Sequence, residues 1–255
     1  MAPSAICDLD GVVYRGRDPI PGSAEALRRL EAAGWRVIFC TNNSSRTPRD
    51  VAARIGSITG YRATPEQVVT SGAAAARLLI ETRPPSFVLG GDGITDALIT
   101  AGVPVTTEPE AAQAVVVGLA TGLTYQWLRV AADAVRRGAR FIATNHDSVY
   151  PAEDGLWPGA GAIVAAVAVA SGRDAEIAGK PFAPMRDLLR EQVGEGPVWV
   201  IGDRPETDLG MAAVEPGWRS SLVLTGVATT SEGVEPTPDL VAADLATAVD
   251  HLLRL

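Results

Sequence analysis

Residues 5–16 read AICDLDGVVYRG, and the acids in this stretch decide how the fold is interpreted. The apolar run over residues 5–9 predicts a buried strand, with Asp8 and Asp10 one residue apart at its end. Residues i and i+2 share one face of a strand, so the two carboxylates repel and each raises the pKa of the other. Asp and Gly also form ordinary turns. The pair nevertheless favours a site that binds a cation or transfers a proton.

Outward from this stretch, short apolar segments alternate with helical segments rich in Ala, Leu and Arg. This order predicts a parallel sheet with helices on both faces, an α/β fold. Ser23 is expected to be the N-cap of the first helix, and segment 229–238 is expected to be a loop. Further strands are predicted at 36–40, 68–69, 86–89, 114–117, 140–143, 197–201 and 222–224. Helices are predicted at 23–33, 49–54, 73–81, 94–101, 125–137 and 160–170, and within 240–253.

The composition limits the class of protein. The chain has 255 residues, 47% of them hydrophobic, enough for one large domain or two smaller ones. The net charge of −8 argues against nucleic acid and anionic membranes as partners, because both require a basic surface. The N-terminus does not resemble a signal peptide, and the apolar run over 160–170 is too short to span a bilayer. With only Cys7 and Cys40, and no CxxC pair, we expect a cytoplasmic protein with buried, reduced thiols.

Small polar or acidic residues follow three of the predicted strands. Ligands of open α/β sheets bind at the carboxyl ends of the strands. Each of these residues has an ordinary explanation by itself, as a turn, an N-cap or a solvated charge. At the ends of predicted parallel strands, however, the set indicates one site. Its members are Asp8, Asp10, Thr41, Asn42, Asn43, Asp203 and Asp208, with Lys180 standing just before the strand at 197–201.

The chemistry of this set suits a phosphate and a divalent cation. Asp8, Asp10 and Asp203 offer hard oxygen ligands, which suit Mg²⁺ rather than zinc. The cation would also offset the repulsion between the carboxylates. The Thr41 hydroxyl and neighbouring backbone N–H groups can hold phosphate oxygens, and Lys180 can neutralise their charge.

Four motifs, DLDGV, TNNS, GKP and GDRPETD, resemble in this order the four motifs of the haloacid dehalogenase-like (HAD) superfamily of phosphatases. The similarity covers nearly the whole chain. The closer match is to the class IIA branch, which includes NagD-like, p-nitrophenylphosphate and phosphoglycolate phosphatases. The resemblance implies a Rossmann-like parallel-sheet core with an inserted α/β cap. We therefore expect the core to comprise residues 1–71 and 180–255, and the cap to comprise 72–179.

The resemblance also implies roles for the motif residues. Asp8 would be the nucleophile and form an aspartyl-phosphate. Asp10 would protonate the leaving oxygen and then activate the hydrolytic water. Mg²⁺ would be bound by the Asp8 carboxylate, the backbone carbonyl of Asp10 and Asp203, and Asp208 would order the waters around the metal. The phosphate pocket would be lined by Thr41, Asn42, Asn43 and Lys180.

Two departures from the pattern of the branch concern the substrate and the local structure. Tyr150 stands where vitamin-B6-type relatives place a substrate-contacting His, which weakens a pyridoxal phosphate assignment. Tyr150 and His146 are therefore the candidates for contact with the leaving group, and His146 is equally well explained as a loop residue without a ligand. After Asp208, the pair Glu215-Pro216 is atypical and leaves the end of the local helix open.

These observations favour a Mg²⁺-dependent phosphatase that hydrolyses a small phosphomonoester metabolite. A phosphotransferase or mutase of the same superfamily and a non-catalytic binding protein on this fold are the alternatives. Members of the branch often dimerise through the cap, so a homodimer is one option, and no patch in the sequence decides it. The Gly-rich segment 90–93 lacks the full GxGxxG pattern and is not interpreted as a dinucleotide site.

Overall fold

The computed structural model describes residues 2–152 and 155–255. The chain divides into two compact units. Within the described residues, every helix is too short or too polar to cross a membrane. The first unit comprises Met1–Thr41, Pro48–Val69 and Arg186–Leu255, and the second comprises Asn42–Thr47 and Thr70–Met185.

The secondary structure alternates between strands and helices, as the sequence predicts. The strands are β1 (Ser4–Cys7), β2 (Tyr14–Arg15), β3 (Asp18–Pro19), β4 (Arg36–Thr41), β5 (Val68–Thr70), β6 (Ser86–Leu89), β7 (Ala114–Val117), β8 (Arg140–Ala143), β9 (Val149–Ala152), β10 (Gly155–Pro158), β11 (Glu176–Ile177), β12 (Val198–Gly202), β13 (Trp218–Val223) and β14 (Leu240–Ala242). The helices are α1 (Ser23–Ala32), α2 (Pro48–Thr59), α3 (Ser71–Arg77), α4 (Asp92–Thr100), α5 (Tyr125–Arg136), α6 (Ala160–Ser171), α7 (Ala183–Gln192), α8 (Gly210–Ala213) and α9 (Leu245–Leu252).

The first unit is built on a six-stranded sheet in the order β14-β13-β12-β1-β4-β5. Every neighbouring pair from β14 to β4 is parallel. Strands β1 and β12 are buried along their whole length, which is the pattern of a parallel sheet covered by helices on both faces. Cys7 pairs with Phe39 on one side and with Ile201 on the other. The segments that follow β1, β4 and β12 therefore leave the sheet at the same edge.

The second unit has its own four-stranded parallel sheet, in the order β11-β8-β7-β6. Strand β7 reads AVVV and is completely buried. Helices α5 and α6 contribute Val135 and Val167 to the apolar cluster that contains Val115 and Val117 of this strand. The expected α/β fold with parallel sheets is therefore confirmed.

The start of α1 differs from the sequence-based expectation. Gly22, with φ of +79°, is the N-cap, and Ser23 is the first helical residue. The buried Ser23 hydroxyl donates to the Val13 carbonyl at 2.9 Å. A buried hydroxyl needs a hydrogen-bond partner, and the Val13 carbonyl supplies it. The prediction of Ser23 as N-cap was therefore wrong.

Several short or Pro- and Gly-containing elements escaped the sequence prediction. The sequence predicts no strand between β8 and α6, but this segment contains the antiparallel pair of β9 and β10, each four residues long. Helix α7, which contains Pro184, was not predicted, and α2 continues past Gly56 to Thr59. Pro and Gly usually mark turns, so inside short elements they mask the period of the apolar residues.

Both cysteines are free and buried, as predicted. Burial, together with the negative charge of Asp8, raises the pKa of the Cys7 thiol to about 12. The thiol therefore stays protonated and unreactive at neutral pH.

The atypical Glu215 anchors α7 to the segment after α8. Its carboxylate accepts from Arg186 Nε at 2.5 Å and from Arg190 Nη2 at 2.6 Å. Burial alone would raise the pKa of Glu215, but the hydrogen bonds and charges of Arg190 and Arg186 outweigh burial and lower it. Helix α8 ends at Ala213, directly before this ion-paired cluster.

Candidate active site

The carboxyl edge of the first sheet carries acidic residues on adjacent strands. Asp8 follows β1, and Asp203 follows β12. The Asp8 N–H extends the ladder between these strands by donating to the Ile201 carbonyl at 2.9 Å. Parallel pairing thus brings Asp8 and Asp203, which are far apart in sequence, to one edge of the sheet.

Asp208 reaches the same edge from a short π-helical turn, Pro205–Leu209. Its N–H donates to the Arg204 carbonyl at 2.9 Å, and its Oδ2 accepts the Arg204 N–H at 3.1 Å. A Cβ at Gly202 would overlap the Asp208 side chain. Glycine at the end of β12 therefore leaves the space that the Asp208 carboxylate occupies.

The three carboxylates form one compact group. Each of Asp8, Asp203 and Asp208 offers an oxygen, and these oxygens lie within 4.8 Å of one another. Asp203 and Asp208 are only 2% and 1% exposed. Buried like charges at this separation repel strongly unless a cation or a proton compensates them. An all-oxygen donor set of this kind fits Mg²⁺.

The Asp203 carboxylate is held by the segment after β13. Asp203 Oδ2 accepts the Val227 N–H at 2.6 Å, and the backbone carbonyl of Asp203 accepts the Ala228 N–H at 3.0 Å. A Cβ at Gly226 would overlap this carboxylate, and one at Gly11 would lie 2.6 Å from Oδ2. Our sequence reasoning missed the Gly226–Ala228 segment, although a glycine shortly after a predicted strand was a usable signal.

Asp10 lies in the turn that follows Asp8. Gly11 has φ of +82°, which L side chains rarely adopt, and its N–H donates to the Tyr14 carbonyl at 2.8 Å. The group of three carboxylates does not include that of Asp10. Burial and the negative charge of Asp10 raise the pKa of the Tyr14 hydroxyl, while Arg54 acts in the opposite direction. The negative charge of Asp8 also raises the pKa of the Tyr14 hydroxyl, so both acids affect this residue.

The TNNS motif is divided between the units. Thr41 is the buried last residue of β4 in the first unit, whereas Asn42 and Asn43 belong to the second. Asn43 Oδ1 accepts the Ser45 N–H at 2.9 Å and the Ser45 hydroxyl at 2.7 Å. This side chain therefore shapes the turn in which it lies.

The second unit brings Asn42 and Lys180 together. Asn42 Oδ1 accepts the Lys180 backbone N–H at 2.7 Å, and Asn42 Nδ2 lies 3.3 Å from the Lys180 carbonyl, to which it donates. Asn42 is 8% exposed and Lys180 is 3% exposed. The TNNS and GKP motifs are therefore joined directly by hydrogen bonds.

A cavity of about 440 Å³ opens within the second unit. Its wall includes Ser45 and Arg46, the loops after β6 and β7, and the aromatic residues Trp127 and Tyr150. Tyr150 is thus placed at a cavity wall. The other sequence candidate, His146, is exposed and packs edge-on against Phe182, with ring centroids 5.4 Å apart.

Glycines of the LGGDG segment allow the close packing beside this cavity. A Cβ at Gly91 would lie 2.8 Å from Ser45 Cα, and one at Gly93 would lie 2.5 Å from the Arg46 carbonyl carbon. The backbone at Ser45 and Arg46 therefore packs directly on the start of α4. Sequence reasoning noted these glycines but assigned them no role.

The chain matches known families over most of its length. Residues 5–104 match the haloacid dehalogenase-like hydrolase family, and residues 177–248 match the HAD-hydrolase-like family. The acid sugar phosphatase of Staphylococcus haemolyticus (strain JCSC1435) is 36% identical over 253 residues, which cover 97% of this chain and 95% of that protein.

Two solved phosphatases have similar structures. The glycerol phosphate phosphatase of Mycobacterium tuberculosis in complex with magnesium has a TM-score of 0.87 and 34% identity, and covers 96% of this chain and 75% of its own. The same enzyme is also known in complex with calcium. The p-nitrophenyl phosphatase of Archaeoglobus fulgidus has a TM-score of 0.87 and 30% identity, and covers 97% of this chain and 98% of its own.

Proposed function

The chain belongs to the haloacid dehalogenase-like hydrolases and is a phosphoric monoester hydrolase, and from this premise we propose that it is a Mg²⁺-dependent phosphatase. It would hydrolyse a small phosphomonoester through an aspartyl-phosphate on Asp8. The observation that carries the proposal is the compact group formed by Asp8, Asp203 and Asp208.

Mg²⁺ fits this group by charge and by donor type. The carboxylates of Asp8, Asp203 and Asp208 lie together. In the proposal Asp8 and Asp203 would hold the ion together with the Asp10 backbone carbonyl, and Asp208 would order its waters. Bound there, Mg²⁺ supplies positive charge against the phosphoryl oxygens. The magnesium complex of the mycobacterial glycerol phosphate phosphatase supports this choice of metal.

The first step transfers the phosphoryl group to the protein. An Asp8 carboxylate oxygen attacks phosphorus, and the bond from phosphorus to the ester oxygen breaks. Asp10 gives its proton to the departing oxygen, so the leaving group departs as a neutral alcohol.

The second step returns the protein to its starting state. A water molecule attacks phosphorus while Asp10, now deprotonated, accepts its proton. The bond between phosphorus and Asp8 breaks, and inorganic phosphate is released. One water is consumed, and Asp10 ends the cycle protonated, as it began.

The remaining candidate residues would bind the phosphoryl group and the leaving group of the substrate. Thr41, Asn43 and Lys180 would bind the phosphoryl oxygens, with Lys180 supplying the positive charge. Tyr150 and His146 would be the candidates for contact with the leaving group. In this proposal residues 1–71 and 180–255 would form the catalytic core, and residues 72–179 would form the cap.

Phosphate release from a panel of phosphorylated metabolites and p-nitrophenyl phosphate, with and without Mg²⁺, tests the proposal. We expect Mg²⁺-dependent hydrolysis that falls by at least about 10³-fold in Asp8→Asn, because the amide is a poor nucleophile. Trapping of phosphorus on the wild-type protein but not on Asp8→Asn would identify the covalent intermediate. Undiminished hydrolysis by Asp8→Asn would overturn the nucleophile assignment.

A further inference from the structure

Asn42 is the centre of a buried hydrogen-bond cluster in the second unit. Its side chain contacts both backbone polar groups of Lys180, accepting from the N–H at 2.7 Å and donating to the carbonyl at 3.3 Å. Its own carbonyl accepts from Asn145 Nδ2 at 2.7 Å and from the Ser71 hydroxyl at 2.5 Å. The Asn42 side chain therefore holds the Lys180 backbone, and the Asn42 backbone is held in turn by Asn145 and Ser71.

Gly179 shows that the close approach of these groups depends on a residue without a side chain. A Cβ at this position would lie 2.5 Å from Asn42 Oδ1 and 2.5 Å from the Thr144 carbonyl. No side chain fits at such distances without displacing the backbone. The glycine of the GKP motif thus allows Asn42 to reach the Lys180 backbone.

The cluster extends into the loop after β8. Asn42 Nδ2 also lies 3.3 Å from Asp147 Oδ1, and the Asp147 N–H donates to Asn145 Oδ1 at 3.0 Å. Strand β11 pairs with β8, and the Ala178 N–H continues this ladder to the Ala143 carbonyl at 2.9 Å. The segment that leads to Lys180 is therefore held from the strand side and from the Asn42 side.

We propose that the side-chain amide of Asn42 positions Lys180 and is not itself a ligand of the phosphoryl group. Both polar atoms of its amide hydrogen-bond to the Lys180 backbone, so its orientation fixes the point from which the lysine side chain starts. The inference rests on the proposed function, in which Lys180 neutralises the phosphoryl oxygens. A charge placed about 1 Å away from its productive position loses about 10²-fold in rate.

A double-mutant cycle between Asn42 and Lys180 tests this role. The variants are Asn42→Ala, Lys180→Met and their combination, assayed for kcat and KM with p-nitrophenyl phosphate at saturating Mg²⁺. We expect Asn42→Ala to lower kcat by about 10- to 100-fold with little change in KM. Lys180→Met should lower kcat by about 10²- to 10³-fold, and the double variant should be no worse than Lys180→Met.

Two outcomes separate the failure of this role from that of the proposed function. If the losses multiply in the double variant, Asn42 acts without Lys180, and the positioning role is overturned while the phosphatase stands. If Lys180→Met keeps full activity, the proposed task of Lys180 is overturned, and the positioning role falls with it.

Two further variants distinguish this role from general damage to the fold. Asn42→Asp keeps the volume and the acceptor for the Lys180 N–H, but its second oxygen would face the Lys180 carbonyl and the Asp147 carboxylate, so it should lose at least as much kcat as Asn42→Ala. Thr144→Val removes a buried 2.9 Å hydrogen bond to Ser44 in the same unit and should keep wild-type kcat. The proposal would be overturned if Thr144→Val lowered kcat as much as Asn42→Ala does while the two variants had equal thermal stability. The loss of kcat would then not be specific to the hydrogen bonds between Asn42 and Lys180.

Discussion

The parallel sheets of the two units carry different residues at their carboxyl edges. In the first unit, β1 and β12 are followed by Asp8 and Asp203. In the second, β6 and β7 are followed by Gly90 and Gly118. Parallel strands are therefore followed by negatively charged side chains in the first unit and by glycines without side chains in the second.

This difference separates two tasks. Carboxylates grouped as closely as those of Asp8, Asp203 and Asp208 repel one another without a counter-charge, so the first edge is suited to holding a cation. Glycines let loops pack closely without adding charge, and the second edge encloses a cavity that Trp127 and Tyr150 help to line. Parallel sheets place ligands at this edge, but the residues after each strand decide which ligand.

Removing charge from the first edge should have the largest effect. Asp203→Asn should lower kcat/KM by about 10²- to 10³-fold, because one proposed ligand of the cation would lose its charge. Raising the Mg²⁺ concentration should restore part of the loss, and chelation of Mg²⁺ should abolish wild-type activity. Asp96→Asn, at an exposed carboxylate on α4, is the control and should behave as wild type. An Mg²⁺ requirement unchanged in Asp203→Asn would contradict the assignment.

Filling the space beside the first edge should have an intermediate effect. The added methyl of Gly226→Ala would overlap the Asp203 carboxylate, so we expect kcat/KM to fall by about 10- to 100-fold. Gly56→Ala in α2 is the matched control, because its new Cβ would lie 3.5 Å from the Tyr61 carbonyl, an ordinary contact. Measuring kcat/KM together with the melting temperature distinguishes a displaced carboxylate from an unfolded protein. Equal activity in the two variants would show that the contact with Asp203 does not matter.

Changing the second edge should have the smallest effect and should act on binding. Trp127 lines the cavity, is 49% exposed and packs on Phe87 with ring centroids 5.8 Å apart. Trp127→Ala should raise the KM for p-nitrophenyl phosphate by about 3- to 10-fold with kcat nearly unchanged, since an aromatic contact contributes about 1 kcal/mol. Tyr125→Ala, which removes an 83% exposed ring from the same helix, is the control. A fall in kcat without a change in KM would place the indole in the chemical steps instead.

The sequence was most informative where structure follows local pattern. The strands over Ser86–Leu89, Ala114–Val117 and Arg140–Ala143 were predicted with the bounds that they have, because apolar runs between polar segments mark buried parallel strands. Elements with Pro or Gly inside them, such as the hairpin of β9 and β10, were missed because the same residues also mark turns.

Sequence alone determined that acidic and amide residues follow the strands, because the DLDGV, TNNS and GDRPETD motifs lie at the ends of predicted strands. Tertiary structure decided what these residues do to one another. It grouped Asp8 with Asp203 and Asp208, and it turned the Asn42 amide onto the Lys180 backbone. Such pairings depend on strand order and on the room left by glycines such as Gly179 and Gly226. Both are properties of packing between distant segments, which local sequence patterns do not encode.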